Sequence, residues 1–163
     1  MRLARLLIIL SLTLGSCRDA TAPDLGLLVG EWADTPYVDK GGLSYQQFLT
    51  IRGDRSYMKD FRIHAAGSAS GPGELIGYSI AEGNVSARND SLFLQPHVLR
   101  TWDRYFNGGR ESVSQVDYSL PQPGRPDNSG SRYEVRSETL RLHYLSYPAD
   151  APVETEATYF RVR

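Results

Sequence analysis

Tyr45-Gln-Gln-Phe-Leu-Thr-Ile51, Arg52-Gly-Asp-Arg55 and Ser56-Tyr-Met-Lys-Asp-Phe-Arg-Ile-His64 follow one another without a break, and their alternation decides the fold. In the last segment Tyr57, Lys59, Phe61 and Ile63 recur at every second residue, which puts them on one face of an extended chain. Residues 52–55 supply the Gly and Asp that a tight connection selects. Two period-two runs joined by a short polar turn read as a β-hairpin.

The same grammar continues towards the C-terminus. Glu74 to Glu82 reads as a strand with Ile76, Tyr78 and Ile80 on one side, and Glu82-Gly83-Asn84 as a turn into a short strand, Val85 to Arg88. Asn89-Asp90 turns into Ser91 to His97, where Leu92 and Leu94 face together. Arg100 to Phe106 then leads to the turn signal Asn107-Gly108-Gly109. Glu111 to Leu120 follows, with Val116, Tyr118 and Leu120 in phase. Residues 121–131 are polar and rich in Pro and Gly, an excursion from the sheet. Tyr133 to Arg136 and Leu140 to Tyr147 read as a hairpin with Leu140, Leu142 and Tyr144 on one face, and Glu154 to Arg163 as the last strand. Prolines, glycines and β-branched residues interrupt every candidate for a long helix. The expectation is all-β, with about eight to ten strands in consecutive hairpins. An up-and-down antiparallel barrel closes such a chain and leaves no sheet edge free.

The N-terminus carries a different signal. Arg2 and Arg5 precede the apolar run Leu6 to Leu14, which is too short for the roughly 20 residues of a membrane span. Leu14-Gly15-Ser16-Cys17 resembles the lipobox of bacterial lipoproteins. The resemblance implies cleavage before Cys17, diacylglycerol on its thiol and acylation, such as by palmitate, of the freed amine. A lone cysteine in an exported chain has no internal disulfide partner, which suits that reading. Two or more acyl chains hold a protein lastingly, at about 0.8 kcal/mol per buried methylene. The expected organisation is a signal peptide at 1–16, a lipidated tether at 17–26 and one domain at 27–163. The expected location is the cell envelope, on a bacterial membrane through lipid on Cys17. Arg18, where an aspartate would favour retention at the inner membrane, leans towards the outer membrane if the source has one. Asp19 leans the other way.

Removing residues 1–16 leaves 147 of the 163 residues, enough for one domain, with 16 basic side chains against 19 acidic. Lys40 and Lys59 are the only lysines, and the arginines are scattered, so no basic stripe argues for nucleic acid.

Gly30-Glu31-Trp32, Tyr45-Gln-Gln-Phe48, Gly53, Tyr57, Gly77-Tyr78-Ser79-Ile80 and Thr158-Tyr159-Phe160-Arg161 stand in the order of a second family. Together they resemble the lipocalin-like group of bacterial extracytoplasmic proteins, across nearly all of 27–163. The resemblance implies that Trp32 packs at the closed end of a barrel under an arginine of a late strand, Arg161 or Arg163. It also implies a small apolar or amphipathic ligand, although aromatic residues on strand faces serve equally well as core.

No catalytic, cofactor or metal site stands out. His64, His97 and His143 lack the spacing of a structural zinc site. No serine sits in Gly-x-Ser-x-Gly, and no Gly-rich phosphate loop is present. Arg52-Gly53-Asp54 coincides with the expected hairpin turn, which accounts for it. The expected function is non-enzymatic ligand binding or presentation at a membrane. The alternative is an envelope scaffold that meets a protein partner through residues 121–131, joined by 65–73.

Overall fold

The alternating segments form ten strands: β1 (Gly30–Asp34), β2 (Tyr37–Val38), β3 (Ser44–Ile51), β4 (Ser56–His64), β5 (Leu75–Arg88), β6 (Ser91–Asp103), β7 (Ser112–Gln115), β8 (Ser131–Arg136), β9 (Thr139–Ser146) and β10 (Val153–Arg161). The computed structural model describes residues 25–67, 73–116, 130–146 and 153–163. Cys17, Tyr118, Leu120 and residues 121–129 lie outside them. Every pairing is antiparallel, in the order β1-β10-β9-β8-β6-β5-β4-β3, and β1 also pairs with β3, so eight strands close a ring. The two short strands, β2 and β7, extend β3 and β6 outside that ring. This is the up-and-down barrel of the lipocalin-like architecture.

The hairpins at 52–55, 89–90 and 137–138 gather at one end of the barrel. Arg55 and Asn89 adopt positive φ there (65° and 55°). Gly53, where the sequence favoured the tight turn, does not need that conformation. The 3-10 turn at Leu25–Leu27 and the C-terminus reach the same end. Leu28, Trp32, Leu49, Ile51, Tyr57, Val85, Leu92, Leu140, Leu142 and Tyr159 form the core, each almost completely withdrawn from water. Tyr57, Leu92, Leu140 and Leu142 sit on the faces that the alternation assigned.

Two expected interruptions, one of them a turn, are absent. Residues 82–84 do not turn: β5 runs through from Leu75 to Arg88, and β6 likewise joins the two strands expected at 91–97 and 100–106. The register slips by one residue where Glu82↔Val98 gives way to Gly83↔Pro96. Pro96 has no N–H to give the ladder, and a bulge accommodates that lack. Gly83 lies against this bulge, and a Cβ there would run into the carbonyl oxygen of Gln95. Its glycine serves close strand approach rather than a turn. The slip also re-phases β6, so Leu92, Leu94 and Pro96 face inward below it, and Leu99, Thr101 and Asp103 above it.

Candidate functional site: the barrel interior

The closed end is sealed by one aromatic–cation stack. Trp32 is fully buried, and its Nε1–H donates to the carbonyl oxygen of Leu28 at 2.9 Å. The Arg161 guanidinium lies 4.1 Å from the centre of the Trp32 ring. Its three nitrogens donate to the carbonyl oxygens of Ser137, Val29 and Leu27, each at 2.9 Å. Gly30, with φ 143°, leaves room for the guanidinium, because a Cβ there would meet Nη1. Between the two arginines left open by the sequence, the structure selects Arg161. Arg163 is exposed and pairs with Glu138 at 3.5 Å.

Above this plug the interior becomes polar. The registers Leu49↔Lys59 and Lys59↔Ala81 place Lys59 on the inner face, one layer above Tyr57. Its side chain is half-buried, and its ammonium lies 6.0 Å from the centre of the Tyr144 ring. Among the described residues no hydrogen bond or ion pair holds it. Burial pushes its pKa down, and the field of Asp34 opposes that shift. Asp34, at the end of β1, is raised in turn, by burial above all; the Gln47 N–H, which donates to its Oδ1 at 2.8 Å, offsets part of this. The Tyr159 hydroxyl donates to Gln47 Oε1 at 3.2 Å. Burial pushes the Tyr159 and Tyr144 hydroxyls up, so both stay protonated donors well past neutral pH. Asp34, Gln47, Lys59, Tyr144 and Tyr159 thus form one polar layer contributed by five strands.

The wall above this layer is hollowed on one side. Gly77 and Ser79 face inward on β5 above the layer, opposite Ile63 and Phe61, Ala81 faces Lys59 within it, and Gly83 faces Tyr57 below it. The apolar Tyr78 and Ile80, which the alternation grouped on one face, consequently face outward. Tyr78 stacks there on Trp102, with ring centres 5.7 Å apart. A depression of about 370 Å³ opens at the mouth, where the inward Phe61, Ile63, Ser79, Thr101 and Asp103 meet Phe106, Arg110, Ser112 and the Tyr78–Trp102 pair. Tyr37, Tyr45 and Phe61 continue it as a stacked ladder, with successive ring centres 6.1 Å apart. Tyr37, Tyr105 and Phe106 are largely exposed at this rim. A second open depression, of about 600 Å³, lies against Arg132, His143, Tyr144 and Thr155, beside the short β6–β8 pairing of Ser91↔Arg132 and Leu92↔Ser131.

His143 lies on the outer wall between Glu156 (3.5 Å) and Glu134 (4.0 Å). It does not converge with His64 or His97, and no group of metal-binding side chains assembles among the described residues. Of the two loops read as recognition surfaces, only residues 65–67, 73, 130 and 131 are described.

Sequence reasoning put Lys59 in phase with Tyr57 and Phe61 but gave it no role, and it did not single out Asp34 or Gln47. A lysine at a core-phase position was the available signal. No protein-family model, curated protein or solved structure matches the chain significantly.

Proposed function

We propose that this protein is a non-enzymatic carrier or presenter of a small amphipathic molecule, held at a bacterial membrane by lipid on Cys17. The observation that carries the binding reading is the row of small inward residues Gly77, Ser79 and Ala81 on β5, of which Ser79 lines the depression at the aromatic mouth. Small inward side chains leave volume in an eight-stranded barrel that larger ones would fill. A depression of about 370 Å³ is within the size range of small-molecule sites. An apolar body against Phe61, Ile63 and Leu99 with a polar end below would satisfy both halves of the interior.

Native mass spectrometry of the chain extracted from envelopes tests the binding reading. A bound small molecule, displaced by added amphiphile, is the expected result. A bare chain that takes up no amphiphile would sink it. Metabolic labelling with a fatty acid tests the anchor: Cys17 should carry the label and Cys17→Ser should lose it, and equal label in both would refute lipidation. The exposed Tyr37, Tyr105 and Phe106 support a second reading, a rim that docks a protein of the envelope. A Tyr105→Ser, Phe106→Ser variant that pulls down an unchanged partner set would set it aside.

A further inference from the structure

We infer that the polar layer at Lys59 selects the charge of the ligand, and that the barrel takes amphiphiles bearing a carboxylate. This rests on the ligand-binding reading above and goes one step further, to the chemistry of the buried end. Donors outnumber acceptors in this layer. Lys59 brings three N–H donors, and none has a partner among the described residues. The Tyr144 hydroxyl stays protonated, and the Gln47 amide brings two further N–H donors. Against these stand the Asp34 carboxylate, one oxygen of which is taken by the Gln47 backbone, and Gln47 Oε1, taken by Tyr159. No ion pair joins Lys59 to Asp34. The layer therefore offers more donors than acceptors around a cation that has no partner of its own.

A group that enters this layer meets the lowest cost if it brings acceptors and a negative charge. A carboxylate does both: its two oxygens accept from up to four donors, and hydrogen bonds between charged partners are the strong ones. An alcohol brings one acceptor and no charge. An alkylammonium would set a second cation beside Lys59. The Tyr144 ring lies on one side of the ammonium at 6.0 Å and β5 opposite carries only Ala81, while the depression at the mouth reaches Phe61 and Ser79, the pair one layer above Lys59. The acyl chain would then lie along Ala81, Ser79 and Gly77 towards Phe61 and Ile63.

Three probes of equal chain length separate head group from tail: dodecanoate, dodecanol and dodecylammonium. Each is titrated into the full-length chain held in lipid nanodiscs, with empty nanodiscs as the blank. Wild type should bind dodecanoate at least ten-fold more tightly than dodecanol, and dodecylammonium most weakly. Lys59→Met, which keeps the length of the stem without its charge, should lose that preference while dodecanol affinity stays within two-fold. Lys59→Arg, which keeps the charge, should retain a preference for dodecanoate and guards against a Met variant that misfolds. Equal binding of dodecanoate and dodecanol in wild type, or an unchanged preference in folded Lys59→Met, overturns the head-group inference and leaves ligand binding standing. If no probe binds wild type, ligand binding falls, and the head-group inference with it.

Discussion

Among the described residues two cations face the inside of this barrel, Arg161 at the closed end and Lys59 above it, and they are treated in opposite ways. Arg161 at the closed end has an indole beneath it and gives each of its nitrogens to a carbonyl oxygen. Lys59, one layer above the core, has only a distant tyrosine ring and a carboxylate that does not reach it. Both are placed by the same period-two alternation on the same closed sheet. Alternation decides which side of the sheet a residue faces; it does not decide how deep that residue lies or what waits for it there. At the closed end the partners are backbone oxygens brought together by the 137–138 hairpin and the N-terminal segment at Leu27 and Val29. Halfway up there is only what the neighbouring strands happen to offer, and the result is a layer with donors to spare.

The contrast breaks most visibly at Trp32. Trp32→Ala should cost about 3–5 kcal/mol, because it empties the largest fully buried side chain and strips the apolar cover from Arg161. Urea unfolding followed by far-ultraviolet circular dichroism reads it, and a loss under about 1 kcal/mol would mean that the closed end is not the stable pole.

Arg161→Lys comes next. A single ammonium cannot serve the carbonyl oxygens of Leu27, Val29 and Ser137 together, so the loss should be about 2 kcal/mol although the charge is kept. Full retention of stability would show that charge, not the three-way donation, is what matters there.

Lys59→Met should run the other way, neutral or stabilising by up to about 1–2 kcal/mol at neutral pH, because it removes a charge that burial disfavours. The sign of its pH dependence follows from the lowered pKa. Between the folded pKa and 10.5 the unfolded chain keeps a proton that the folded chain has shed, so wild-type stability gains with rising pH in that window. Below the window the burial penalty is present in full. The advantage of Met should therefore be largest near neutral pH and shrink towards pH 10.5. Tyr144 and Tyr159, raised by burial, act in the opposite sense above pH 10 and are common to both proteins. A gap that widens in alkali would contradict the assignment. Smallest of all, Tyr37→Ser at the mouth should change stability by no more than about 0.5 kcal/mol in the same unfolding assay, since its ring is mostly exposed.

The sequence made the barrel legible because its strands are short, alternating and adjacent. Leu142 could be placed from local alternation alone, and Trp32 from the resemblance that Gly30-Glu31-Trp32 helps to carry. The β5–β6 slip could not: Gly83 between Glu82 and Asn84 has the composition of a turn, and only the approach of Gln95 explains it. The polar layer was hidden for another reason. Gln47 and Tyr159 are separated by 112 residues, and their contact depends on ring closure through β1. Lys59 carried a local clue, in phase with core residues, but its isolation is a property of the neighbours that the closed sheet assembles around it.

The 3-10 turn at Leu25–Leu27 enters beneath Trp32, so the chain joins the barrel at its sealed base. Seven residues lie between Cys17 and Leu25, so eight Cα–Cα steps reach at most about 28 Å when fully extended. If Cys17 is acylated as proposed, the barrel would be moored by its floor, and the rim of Tyr37, Tyr105 and Phe106 would face away from the bilayer. Cargo would then be loaded from the far side, out of the aqueous space or from a facing surface, and not drawn from the leaflet underneath.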